Sequence, residues 1–367
     1  MNVPDLFQPL AFTRGPELKN RLLLAPLTNK QSNEDGTVSD HDIAWIGRCA
    51  RDGYGMTMTC ATNVQRAGKG FHGQLGIYDD RHVEGLARLA ALIRAGGSVS
   101  SVQLHHSGAR ALGGVNGIPA GPSGDIADGA RTLSTAEVEH LRDDFITAAQ
   151  RADTAGFDGV ELHGAFGHVL AQFLSPTLNT RTDPYGGTLE GRSRLIFEII
   201  EGIRNACRPD FQLGLRLSTE RFGLQVAEIR DVAAEAIHTG SIDYLDMALH
   251  DIDKTTDEDE FKGRTLLSLF TDLPRGNVKL GASGKVMSAR KAAAALQTGC
   301  DFVMIGRAAI LQPGFPKRVQ HDHDHRSPEL PVTQTHLEEA GLSPAFINYM
   351  REGWDDFVAP DTVLASK

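Results

Sequence analysis

Cysteine is sparse and unclustered. The four cysteines, Cys49, Cys60, Cys207 and Cys300, form no C-x-x-C pair, so neither a zinc site nor an iron–sulfur cluster is suggested. Reduced thiols and a cytoplasmic location are the natural expectation. Long apolar runs are lacking too: nothing approaches the ~20 residues that span a bilayer. The opening MNVPDLFQPLAF has no basic region ahead of an apolar core, so no signal peptide is read and no membrane partner is expected. Basic blocks are missing as well, and the formal net charge is −10. That balance argues against a general nucleic-acid binder. No short-period repeat or low-complexity domain interrupts the chain.

What is present is an ordinary globular composition, 41% hydrophobic and 23% charged, with a high glycine count of 39. The 367 residues fit two ordinary domains or one large α/β barrel. Strand-like runs are read at Arg21–Leu27, Gly55–Thr62, Ser98–His105, Gly159–Leu162, Gln212–Leu217, Asp243–Ala248, Asn277–Leu280 and Phe302–Ile305. Helical patterns lie between several of them, at Asp40–Gly53, Asp79–Gly97, Glu190–Cys207, Val226–Thr239 and Ser288–Thr298. Another begins at Ser134 with Glu137 three residues on, the spacing of a reciprocal N-terminal cap. The count, about eight strand-then-helix units, suits a (β/α)8 TIM barrel with extended loops; an open doubly wound sheet would show the same alternation with fewer units. The expected division is a barrel over residues 1–320 and a polar, helical C-terminal extension over 321–367, with one helix near Thr335–Glu352.

Two motifs are set aside. GKGFHG (Gly68–Gly73) matches the dinucleotide pattern, but it neither follows its strand at once nor opens a helix. HDHDHR (His321–Arg326) alternates three imidazoles; without an identifiable distant ligand it reads as a solvated loop, and no metal is expected. LGASG (Leu280–Gly284) and MIGRA (Met304–Ala308) end the last two strands, where barrel loops commonly bind phosphate. Each also reads as a plain strand-to-helix turn. Polar residues accumulate at other strand ends: Thr28, Ala61–Thr62, Gln103 with His106, His163 and Arg216.

The motifs LKNRLLLAPLTN (Leu18–Asn29), VQLHHSGAR (Val102–Arg110), FDGVELHGAFGHVLAQFLSP (Phe157–Pro176), NTRTDPYGGTLEGRSRL (Asn179–Leu195) and GCDFVMIGRAAILQPGFPKR (Gly299–Arg318) resemble the old yellow enzyme family. They occur in the family's order, and the short spacer after the first is similar to its bacterial, thermophilic-like branch. The resemblance implies a TIM barrel that binds FMN, takes hydride from NAD(P)H and passes it to a small electron-poor alkene conjugated to a carbonyl. Pro26, Leu27 and Thr28 would then lie against the isoalloxazine, with Ala61 touching it through its backbone. Gln103 would bond the pyrimidine edge, and Arg216 would sit near N1 and the C2 carbonyl. Gly281, Gly284, Gly306 and Arg307 would hold the phosphate. A homo-oligomer is compatible with this reading.

The chain departs from that pattern at the substrate. His163 keeps the position that anchors the carbonyl. The second donor position is Phe166, the proton-donating tyrosine is replaced by His168, and another active-site tyrosine falls at Lys30. His163 and His168 are the expected catalytic residues, with Phe166 and Lys30 beside the substrate. An imidazole of ordinary pKa, ~6.5, would donate a proton near neutrality more easily than tyrosine. His105, next to His106, also stands at the strand end. Other readings are an FMN barrel using a quinone, a nitro compound or oxygen as acceptor, and a flavin-binding barrel without alkene reduction.

Overall fold

Each apolar run is short and closed by a glycine, a proline or a polar turn, so it pairs laterally as a strand. In the computed structural model, which describes residues 2–360, the runs become Leu22–Leu24 (β1), Met56–Asn63 (β2), Val99–His105 (β3), Gly159–Gly164 (β4), Gln212–Leu217 (β5), Tyr244–Ala248 (β6), Lys279–Ser283 (β7) and Phe302–Ile305 (β8). Neighbours in sequence pair in parallel, and β1 joins both β2 and β8, so the sheet closes into a barrel. Helices return the chain outside it: α1 (Asp40–Arg51), α2 (Val83–Ala95), α3 (Thr135–Thr154), α4 (Val169–Leu174), α5 (Leu189–Ala206), α6 (Val226–His238), α7 (Leu266–Thr271) and α8 (Ala289–Gln297). The reciprocal cap at Ser134 and Glu137 starts α3 as its spacing predicts, and Ser39 with Asp42 does the same for α1. None of the described helices is long and apolar enough to cross a membrane.

The barrel interior is filled by interlocking large and small residues. The N-terminal segment pairs Leu10 with Leu18 and inserts Phe12, which stacks on Tyr244 at 5.1 Å. Tyr244 in turn meets Phe302 edge-on at 5.7 Å. Glycines face these rings. A Cβ on Gly214 would lie 2.1 Å from the Tyr244 ring, and one on Gly281 2.0 Å from the Phe302 ring. This packed floor leaves only the upper rim of the barrel for a site.

Several boundaries differ from the sequence expectation for local reasons. The first strand ends before Pro26, which has no N–H to give a neighbour. β7 starts later than Asn277 because Gly276, at φ 53°, turns the chain first and Val278 donates back to the Arg275 carbonyl. Between β8 and the tail lie α9 (Arg307–Leu311) and α10 (Phe315–His321). The single tail helix is two, α11 (Gln334–Glu339) and α12 (Pro344–Gly353). Gly341 at φ 85° ends the first, and Ser343 caps the second ahead of Pro344. The tail packs on the barrel: Phe346 meets Trp45 of α1 edge-on at 5.4 Å, and Ser343 donates to Gln31. Residues 361–367 of the expected extension lie outside the described residues.

Gly281 sits on β7 facing Phe302, so that ring accounts for the absence of a side chain there. Gly281→Ala should cost about 1–3 kcal/mol, the usual range for overpacking a filled core. Denaturant unfolding checks this, and an unchanged midpoint would mean that the ring has room to move.

Candidate active site

One cleft of about 420 Å³ opens at the C-terminal ends of the strands. Ala25, Pro26, Leu27 and Thr28 line one side, continuing from β1. Phe166, His168 and Arg216 come from the ends of β4 and β5, and Ser283, Gly284, Lys285, Gly306 and Arg307 from those of β7 and β8. Tyr349, Met350 and Trp354 of the tail form the outer wall, which the sequence did not suggest. The Arg307 guanidinium lies 4.5 Å from the centre of the Trp354 ring, a stacked cation–π contact.

Alternation along each strand explains what lies beneath the cleft. Residues two apart share a face, so Gly159, Glu161 and His163 point one way, as do Gly214 with Arg216 and Tyr244 with Asp246. The Arg216 side chain is 5% exposed and lies 3.3 Å from a fully buried Asp246 carboxylate, close enough for an ion pair but not aligned for a hydrogen bond. One Arg216 nitrogen donates to Ser283 at 2.8 Å; Nε and Nη1 have no hydrogen-bond partner among the described residues. Gln103 donates to Glu161 at 2.8 Å. Burial, then the nearby Asp246 charge, pushes Glu161 up to about 8, so it holds its proton at neutral pH. Burial also raises Asp246, while the Arg216 charge opposes that rise. Asp246 and Glu161 escaped the sequence reading, although each sits at an inward position of a strand that ends in the site.

The loop after β4 is held in an unusual shape. Phe166 has φ 55°, a left-handed conformation that costs a non-glycine residue about 1–2 kcal/mol. It is pinned on both sides: its N–H donates to Ser218 Oγ at 2.9 Å, and its carbonyl accepts from Arg110 at 2.6 Å. The ring, 38% exposed, lies 5.5 Å from the Arg216 guanidinium and 5.8 Å from the His163 ring. His163 is buried behind it, and His168 opens α4. Burial is the main cause that holds every imidazole here neutral. His168 is pushed down to about 3, and His163 and His105 lie well below the usual range. The expectation that His168 keeps an ordinary pKa is therefore corrected: it is not an imidazolium near neutrality.

Other expected residues lie further from the opening. Ala61 is buried, and its carbonyl accepts from Gln74. Lys30, at φ 51°, rests over the Tyr349 ring at 4.8 Å from its centre. His106 is committed to structure, accepting from the Gly108 N–H and contacting Gln65. His325 bonds Gln312, while Asp324 pairs with Arg290.

This residue set fits FMN. The unpartnered buried N–H groups of Arg216 suit an anionic ring edge, and Ala25, Pro26 and Leu27 give the cleft an apolar side. A Cβ on Gly306 would make only ordinary contacts, with Leu27 at 3.6 Å and Ala25 at 4.0 Å, and Arg307 and Lys285 line the same cleft.

Residues 5–326 match the family described as NADH:flavin oxidoreductase / NADH oxidase. The probable NADH-dependent flavin oxidoreductase YqiG of Bacillus subtilis is 34% identical over 333 residues, 87% of this chain and 88% of that protein. The NADPH dehydrogenase of Bacillus licheniformis is 33% identical, covering 86% of this chain and 94% of that one. The structure of the old yellow enzyme homologue from Zymomonas mobilis superposes with a TM-score of 0.80 at 25% identity, covering 94% of this chain and 99% of that one.

The raised Glu161 makes stability depend on pH. The folded protein keeps a proton that the unfolded chain releases above about 4.5, so stability falls as pH rises from there towards 8. The expected slope is about −1.4 kcal/mol per pH unit. Glu161→Gln should flatten that slope in urea unfolding series between about pH 5.5 and 8. Identical slopes for variant and wild type would mean that the carboxyl is already ionised.

Proposed function

The chain belongs to the NADH:flavin oxidoreductase / NADH oxidase family, an FMN-dependent NAD(P)H oxidoreductase of the old yellow enzyme type, and we propose that its acceptors are electron-poor alkenes conjugated to a carbonyl group. FMN, when bound, supplies the hydride that NAD(P)H delivers to it. The observation that carries the reading is the meeting of His163, Phe166 and His168 beside Arg216 at the ends of β4 and β5. That arrangement offers a neutral donor for a carbonyl oxygen, an aromatic face for a flat ligand and a polar group for the carbon to be protonated.

In this reading Pro26, Leu27 and Thr28 lie along the isoalloxazine. Ala61 and Gln103 approach its edge, and Arg216 faces its anionic side. Gly284, Gly306 and Arg307 hold the phosphate, while Lys30 stands at the outer edge of the substrate space. His163 holds the carbonyl oxygen. A donor placed where negative charge develops is worth more than one that bonds the resting substrate. His168, being neutral, acts as an N–H donor or passes on a water proton instead of starting as an imidazolium. Phe166 packs on the flat substrate.

Anaerobic reduction by NADH or NADPH, followed by stopped-flow reoxidation, tests this. Cyclohexenone should reoxidise the wild type. His163→Ala should slow that step by about 100-fold, as expected for loss of one oxyanion donor. Phe166→Asn tolerates the left-handed backbone and should speed it about tenfold by adding a donor. Reoxidation by quinones, nitro compounds or oxygen alone, with no enone turnover, would favour the other acceptors and end the alkene reading.

A further inference from the structure

Two buried imidazoles and one half-buried one, His168, meet beside Phe166. His105 of β3, His163 of β4 and His168 have ring centroids 5.3, 4.4 and 5.1 Å apart, taken as the pairs 105–163, 105–168 and 163–168. One nitrogen from each lies within 4.8 Å of the other two. Each ring also carries a buried nitrogen without a partner among the described residues: His105 Nε2, His163 Nδ1 and His168 Nδ1. Three unpaired buried nitrogens are costly, and a shared ligand removes that cost. A metal ion, or the oxygen of a water or of a polar ligand that displaces it, would satisfy them.

Gln74 decides between these. Its Oε1 accepts from the Gly70 N–H at 2.7 Å, and its Nε2 donates to the Ala61 carbonyl at 3.0 Å. The amide is therefore oriented: turning it over would set N–H against N–H and oxygen against oxygen. The second Nε2 hydrogen faces His105 Nδ1 at 2.9 Å. His105 Nδ1 is thus an acceptor, and in the neutral ring the proton sits on Nε2. An N–H has no lone pair for a metal. It is a fixed donor beside the His163 and His168 rings.

We propose that His105 is the second donor of the substrate-oxygen site, its Nε2–H and His163 together holding the carbonyl or phenolate oxygen of a flat ligand that packs on Phe166. This supplies from β3 the donor that Phe166 lacks on the loop. Gln74 acts as a positioning residue that fixes the tautomer. The identity of the oxygen as an enone carbonyl rests on the alkene-reductase reading; the donor pair itself does not.

The test uses FMN-loaded protein and 4-hydroxybenzaldehyde, whose binding is followed by its flavin difference spectrum, with enone reoxidation measured alongside. His105→Leu should keep stoichiometric flavin and weaken phenol binding about tenfold or more. His105→Gln, which keeps an N–H donor, should stay within about threefold of wild type. Phenol binding by His105→Leu equal to wild type, while His163→Ala binds weakly, would overturn the donor role and leave the alkene reading intact. Weakened phenol binding in a protein whose wild type reduces no enone would support the donor pair and sink the alkene reading. If His105→Leu fails to fold, the Gln variant decides: a folded, flavin-loaded His105→Gln that has lost phenol affinity overturns the proposal. Stoichiometric Zn2+ binding by wild type, lost in His105→Gln, would also overturn it, because zinc needs the lone pair that the fixed tautomer removes.

Discussion

Arg216 sits in the mouth of the barrel with almost no contact with water, between Asp246 and Ser283, above Glu161 and Gln103. A guanidinium there is expensive to desolvate, and a single carboxylate that is close but poorly aligned repays only part of the cost. Two buried carboxylates against one cation would leave excess negative charge. Burial and mutual repulsion settle this by keeping the Glu161 proton, which brings the group close to neutral. The cation therefore stays in place, lining the cleft, with Nε and Nη1 free of hydrogen-bond partners among the described residues. Strands β3, β4, β5, β6 and β7 each supply a member of this set, so it exists only once these five neighbours pair side by side.

The loop after β4 depends on the same floor. Phe166 lies against the Arg216 guanidinium, and its left-handed backbone is pinned by Ser218 from the segment after β5 and by Arg110 from the loop after β3. Strain of this kind persists only where surroundings enforce it, and it gathers at functional sites. Its effect is to bring a ring to within 5.8 Å of His163, which in turn packs on His105 and His168. Proton chemistry at this end of the cleft rests on where N–H groups are fixed, not on a ready supply of imidazolium.

Much of this was legible in the sequence, because strand period and turn residues are local. Eight apolar runs and their order, the cap at Ser134, and the gathering of Thr28, Arg216, Gly306 and Arg307 at one rim follow from patterns a few residues long. What was missed depends on contacts far apart in sequence. Gly281 reads as a phosphate glycine from its loop alone, and only the fold shows that Phe302 also fills the place of a side chain there. The pKa of His168 could not be read without its burial. Gln74 fixes His105 from 31 residues away, and the tail wall of Tyr349 and Trp354 comes from the far end of the chain. Glu161 and Asp246 were within reach: each lies an even number of residues from an inward-facing neighbour, and parity alone would have turned them inward.

The central claim is that the buried Arg216 cation sets the electronics of the bound FMN. Spectroelectrochemical titration of Arg216→Gln against wild type addresses it most directly, with flavin content measured in parallel. Loss of the fixed positive charge should lower the reduction potential and weaken FMN binding, because the reduced, anionic flavin loses its partner. A variant that retains stoichiometric FMN at an unchanged potential would contradict the account.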